Sequence, residues 1–222
     1  MNMRIVLVAI LLSGPAWADS PGGYGPGNHI GVGARAIVAG GWAYEYDYTC
    51  PAGSSSYCSN STVNQAGDAA DSPGIEVFWE YVHDGGRIGV GLGLGFQWHA
   101  EGAYYYTPVR WTEIQLDPRI RIFLTTSGWL RPYVRLAGGF SLALAGDLLS
   151  EDISYKFDHA FSVNASATVG LLVAPDSMPA AFSFELGPEF VFSWAKGERD
   201  DGQTRDYTGN VRHLLLIFST LY

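Results

Sequence analysis

Residues Arg87 to Trp98 alternate without a slip. Ile88, Val90, Leu92, Leu94, Phe96 and Trp98 hold the even positions; Arg87, Gly89, Gly91, Gly93, Gly95 and Gln97 hold the odd ones. Side chains of a strand point to opposite faces with period two, so this is one strand with a bulky apolar face and a face that is tiny or polar. Two arrangements accept such a strand. A barrel in lipid turns the apolar face outward, and a soluble barrel or sandwich turns it inward.

The division recurs along the chain. A first strand runs from about His29 to Tyr48, with Ile30, Val32, Val38, Trp42, Tyr44, Tyr46 and Tyr48 on its even face. Further strands follow at Ile75–Tyr81, Arg87–Trp98, Glu113–Leu124, Leu130–Leu144, Phe161–Val173, Phe182–Trp194 and the segment ending at Tyr222. Short turns such as His83-Asp84-Gly85-Gly86 and Thr126-Ser127-Gly128 alternate with long loops, including roughly 146–157 and 195–210. The expectation is an all-β, eight-stranded antiparallel up-and-down transmembrane β-barrel. Pro118, Pro132 and Pro188 fall inside strands that need a backbone donor, so bulges or end positions are expected there.

Size decides which face is outside. An eight-stranded barrel has room for side chains but not for six large apolar groups per strand. Aromatics agree: Trp42, Trp98 and Trp194 fall near the long loops, and Trp129 and Tyr222 near the short-turn end, as two girdles would. The first strand, if its alternation holds to Tyr48, rises about 40 Å at a tilt of about 45°, well beyond an apolar band about 25 Å tall. The sheet should then project above the membrane with Tyr44, Tyr46 and Tyr48 at or beyond headgroup level.

The chain opens with basic Arg4, an apolar run from Ile5 to Leu12 and the small-x-small site Ala16-Trp17-Ala18, so residues 1–18 read as a signal peptide. Residues 19–27 read as a flexible lead-in and 28–222 as the barrel. The formal charge of −9 argues against nucleic acid as a partner. In an exported chain, Cys50 and Cys58 in one loop read as a disulfide; no His lies beside them to complete a zinc site.

The predicted lumen carries Arg35, Arg87, Arg119, Arg121, Arg131 and Arg135 against Glu76, Glu80, Glu113, Asp117, Glu185 and Glu189. Similar numbers of opposite charges on one face point to interlocked ion pairs. Arg35, Arg119, Arg121 and Arg135 are expected to pair with Glu76, Glu80, Glu185 and Glu189 and to close the pore; a gated ion path is the alternative.

The signal peptide, the eight alternating segments, Leu130-Arg131-Pro132-Tyr133-Val134 and the ending Leu214 to Tyr222 together resemble the small outer-membrane β-barrels of Gram-negative bacteria, the group of outer-membrane protein A, outer-membrane protein X and the opacity-type proteins. The resemblance implies both barrel termini in the periplasm, contact with outer-membrane lipid and lipopolysaccharide, and a C-terminal strand read by the barrel-assembly machinery. Here Thr220 replaces the usual apolar residue, and Leu215, Ile217 and Leu221 make the inner face unusually greasy.

Some small barrels modify lipid A, one family through a His-x-Ser-Asn motif. Asp158-His159-Ala160-Phe161-Ser162-Val163-Asn164 is a near miss, because an odd step puts His159 and Ser162 on opposite faces, whereas a serine nucleophile needs its base within about 3 Å. His29, His99 and His213 are single. The expected protein is a non-enzymatic monomer without cofactor, structural or surface-interacting, with a narrow channel and a lipid A-modifying enzyme as alternatives; the surface partner is not legible.

Overall fold

The computed structural model describes residues 24–50, 61–68, 73–101, 109–150, 153–175, 177–198 and 204–222. Nine segments are extended: β1 (Gly27–Thr49), β2 (Ser61–Asp68), β3 (Pro73–Val82), β4 (Ile88–Glu101), β5 (Val109–Phe123), β6 (Leu130–Ser150), β7 (Ile153–Val173), β8 (Ala181–Glu198) and β9 (Thr204–Leu221). Each pairs antiparallel with its neighbour, and β1 returns to pair with β9, closing the sheet.

The barrel is eight-stranded although nine segments appear. β1 pairs with β2 from Gly41↔Asp68 upward and with β3 from Ala36↔Pro73 downward. Residues 37–40 and 69–72 are equal in number, so β2 and β3 are two parts of one barrel strand in a single register. Within the long loop expected between the first strand and Ile75, Ser61–Asp68 and Pro73–Gly74 are therefore strand.

The same correction applies at two other long connections. β6 and β7 stay paired as far as Ser150↔Ile153, and β8 and β9 as far as Glu198↔Thr204. Apolar alternation cannot reveal these stretches, because strands standing in water need no apolar face; their backbone groups are satisfied by the ladder alone. With 21 residues in β6 and in β7, at about 3.3 Å each and a tilt of about 45°, the wall rises roughly 50 Å against an apolar band about 25 Å tall.

The apolar face points outward. Leu92, Leu94, Phe184, Phe190 and Phe192 are all exposed, at 45–52%. Phe161 stacks on Phe140 and on Trp194 across three strands.

β1 departs from the expected pattern at Val38, where its register against β9 shifts by one residue and Val38 and Ala39 are both exposed. An extra residue in one strand bends it and breaks the alternation, so the even face does not run unbroken from Ile30 to Tyr48. Above the bulge the register sets Trp42 opposite Val211 and Tyr44 opposite Gly209; the side chains of Trp42, Tyr44, Tyr46 and Tyr48 lie outside the described residues.

Pro118 and Pro188 cause no bulge. The β5–β6 ladder skips Asp117 and Pro118, and the β7–β8 ladder skips Gly187 and Pro188, yet the register is the same on both sides of each skip. The missing donor is absorbed by an interrupted ladder. Pro132 sits at the end position expected of it, the third residue of β6, where its carbonyl accepts from Leu124 N at 2.8 Å.

Candidate functional site

The inward residues form layers. At the short-turn end lies an apolar plug of Phe78, Val82, Phe123, Tyr133, Leu172 and Leu221, every one buried. Tyr24 completes it. The expected flexible lead-in is anchored in its described part: Tyr24 is 4% exposed and stacks on His29 at 4.2 Å. Its hydroxyl donates to Glu80 Oε1 at 2.5 Å. Burial, then the adjacent Glu80 carboxylate, pushes this phenol well above its ordinary range, which keeps it a donor.

Above the plug is a first ion-pair cluster. Arg121 Nη1 pairs with Glu80 Oε2 at 2.8 Å and Nη2 with Glu185 Oε1 at 3.0 Å. Glu185 also accepts from Tyr133 Oη at 2.7 Å and from Thr168 Oγ1 at 3.0 Å, and forms an ion pair with Arg135 Nε at 2.7 Å. The guanidinium of Arg121 lies 4.5 Å from the Tyr133 ring centroid and that of Arg119 lies 4.6 Å from Phe78, so cations cap the aromatic plug.

Arg119 holds Glu76 through two parallel bonds of 3.0 Å. A third group centres on Arg35, whose Nη1 donates to Gln115 Oε1 at 2.6 Å and Asp117 Oδ2 at 3.0 Å, and whose Nη2 meets Glu189 Oε1 at 3.0 Å. Asn164 Nδ2 bridges Asp117 and Glu189, and His213 Nε2 lies 2.5 Å from Glu189 Oε2. Higher still, Ser141 donates to Glu113 Oε2 and Ser162 to Ser193 Oγ, both at 3.1 Å.

The glycines of the opening motif make room for this chemistry. A Cβ at Gly89 would collide with Glu80 and one at Gly93 with Arg119 Nη2. Gly31 and Gly170 do the same for the Phe78 and Tyr133 rings. The glycine-rich face is thus the negative of the arginines and rings packed against it.

Arg35, Glu76, Glu80, Asp117, Arg119, Arg121, Arg135, Glu185 and Glu189 all lie in the lumen, as does Glu113. Arg87 and Arg131 do not. Arg87 is exposed beside the β3–β4 turn, and Arg131 bonds the carbonyl of Gly128 at the rim; each sits at a strand end, where period two no longer decides burial. With both removed, the buried charges are four guanidiniums and six carboxylates among the described residues, not a matched set.

Gln115, Tyr133, Asn164 and Thr168 lie on the inner face that alternation gives them but join a charge network in which they were not counted, and Tyr24, Phe78 and His213 were not placed in the lumen at all. For the rings a signal existed, a large aromatic across from a glycine on the inner face, but it requires the register. Of the proposed girdle, Trp98, Trp129 and Trp194 are exposed on the outer surface, Tyr222 is half-buried with its backbone bonded to Ile30, and Trp42 lies outside the described side chains. Trp79 joins these on the outer face, exposed and donating to Asn28 Oδ1 at 3.1 Å. Cys50 directly follows β1, and Cys58 lies outside the described residues, as does the side chain of His159.

No protein-family model and no curated protein matches the chain. Among solved structures, it matches the outer membrane protein OprG from Pseudomonas aeruginosa with a TM-score of 0.53 and 13% identity, over 90% of this chain and 97% of that one. The outer membrane protein AlkL in lipid bilayers matches at 0.45 and 15%, over 95% and 97%. Ail, the attachment invasion locus protein of Yersinia pestis, matches at 0.36 and 10%, over 85% and 99%. The chain has the eight-stranded fold of the small outer-membrane β-barrels; at these identities the likeness is one of architecture.

Proposed function

We propose that this chain is a non-enzymatic, monomeric outer-membrane barrel that transports nothing through its lumen and works as a rigid wall presenting its long-loop end to the surroundings. The observation that carries this reading is the filled cross-section: an apolar plug sealed by Tyr24, then the Glu80–Arg121–Glu185–Arg135 cluster, then the Arg35 group. A barrel so packed has side chains where a channel has water. The projecting strands support a structural or surface-interaction role, since β6 and β7 continue far past any apolar band.

In this reading residues 1–18 direct export, both barrel termini face the periplasm, the C-terminal strand is taken up by the barrel-assembly machinery, and Cys50 and Cys58 form a disulfide in an extracellular loop. Lipid and lipopolysaccharide are its immediate neighbours. The test is osmotic swelling of liposomes carrying the refolded protein in arabinose or glycine. The reading expects rates equal to empty liposomes; swelling that scales with protein content would replace it with a narrow channel.

A further inference from the structure

Arg212, like Arg87 and Arg131, is an arginine that the luminal network leaves out, but it lies within a strand rather than at a short-turn end. It precedes His213, which faces the lumen, so Arg212 faces outward, and it is exposed. Among the described residues no carboxylate pairs with it. Below it on the same face lie Leu214 and Leu216; directly across lie exposed Phe190 on β8 and Gly41 on β1. Above it the outward face turns polar, with Asn210, Thr208 and Asp206.

We propose that Arg212 binds the phosphomonoester headgroup of an outer-leaflet glycolipid, with Phe190 and Leu214 against the lipid's acyl chains. Height supports this. From Tyr222 at the short-turn end, β9 climbs ten residues to Arg212; at about 3.3 Å each and a tilt of about 40°, that is roughly 25 Å, the full height of the apolar band. A guanidinium there is at the level of lipid phosphates. Its planar fork matches a phosphate with two parallel bonds, and its apolar collar suits a lipid better than a free anion. Gly41 leaves the β1 side of the fork open, and Asn210 adds an amide just above.

The inference rests on the outer-membrane orientation proposed above, so fractionation of wild-type cells accompanies the test; wild-type protein missing from the outer membrane would sink that orientation itself. Lipid retention is then measured by native mass spectrometry of the purified barrel, using bisphosphorylated lipid A, its dephosphorylated form and phosphatidylglycerol as probes. The wild type is expected to keep bisphosphorylated lipid A in preference to both others. Arg212→Gln should weaken that retention about tenfold, the scale of losing one charge-assisted contact, Arg212→Lys less, and Lys196→Gln less than twofold. Heat-modifiable migration on gels verifies that each variant is folded. Equal retention of all three lipids by the wild type, or unchanged retention in both Arg212 variants, would overturn the proposal.

Discussion

Replacing Glu185 by Gln removes the charge at the hub of the lower cluster. Its two oxygens accept from Arg121 at 3.0 Å, Tyr133 at 2.7 Å and Thr168 at 3.0 Å, and pair with Arg135 at 2.7 Å. Arg121 would keep Glu80 at 2.8 Å. Arg135 would keep only a long bond to Thr168 Oγ1 at 3.4 Å and the attraction of the unbonded carboxylates of Glu76 and Glu189, since its Nη1 and Nη2 have no hydrogen-bond partner among the described residues and it is 1% exposed. Breaking a buried pair and leaving one charge unpartnered costs about 3–5 kcal/mol, and that is the loss expected for Glu185→Gln. Much of this is the penalty of the orphaned guanidinium rather than the worth of the pair. Adding Arg135→Met should therefore recover about 2 kcal/mol or more, because an apolar replacement of both partners is often close to neutral. Urea unfolding in lipid vesicles, followed by heat-modifiable gel migration, measures both. A single-variant loss below about 1 kcal/mol, or a double variant less stable than Glu185→Gln alone, would refute the view that these charges are locked in pairs.

Three further outcomes are expected. Tyr24→Ala should destabilise the barrel by about 3 kcal/mol, as loss of a buried ring does, whereas Tyr24→Phe, which keeps the packing, should cost about 1 kcal/mol in the same unfolding assay. Gly91→Ala should cost roughly 1–3 kcal/mol because its Cβ would strike the Trp79 carbonyl of the neighbouring strand; Gly95→Ala, whose nearest neighbour is Arg35 Nη1 at 3.4 Å, should cost clearly less. An impermeant maleimide should label Cys50 and Cys58 on intact cells only after a reductant is added, and labelling that also requires outer-membrane permeabilisation would reverse the proposed orientation.

The parts of the fold that were legible are those where lipid imposes a rule. Ile88 to Trp98 could be read residue by residue because one face meets lipid and the other a crowded lumen. Above the band that rule lapses, and Ser61–Asp68, Asp147–Ser150 and Ile153–Lys156 read as loops although they are paired strand. The bulge at Val38 escaped because Val38 and Ala39 are both small and apolar, so neighbouring residues on one face leave no mark in a period-two pattern. The plug escaped for a different reason. Phe78, Tyr133 and Leu172 sit on the inner face of strands whose inner face was read as polar, and only the register sets Phe78 against Gly31 and Tyr133 against Gly170. Tyr24 had no periodicity around it, only glycines and prolines. For the charges, residue type and parity placed the four arginines correctly on the inner face, but which carboxylate each meets depends on the stagger between strands, and Arg35 reaches Asp117 on the opposite wall as well as Glu189.

The central claim is that plug and ion pairs close the lumen. Single-channel recording of the refolded wild-type protein in a planar bilayer tests it most directly. The layered lumen predicts no steady conductance above the bare-membrane baseline in 1 M KCl, and the appearance of resolvable openings when Tyr24→Ala is combined with Glu185→Gln. A steady ohmic conductance in the wild type, unchanged in the double variant, would contradict it.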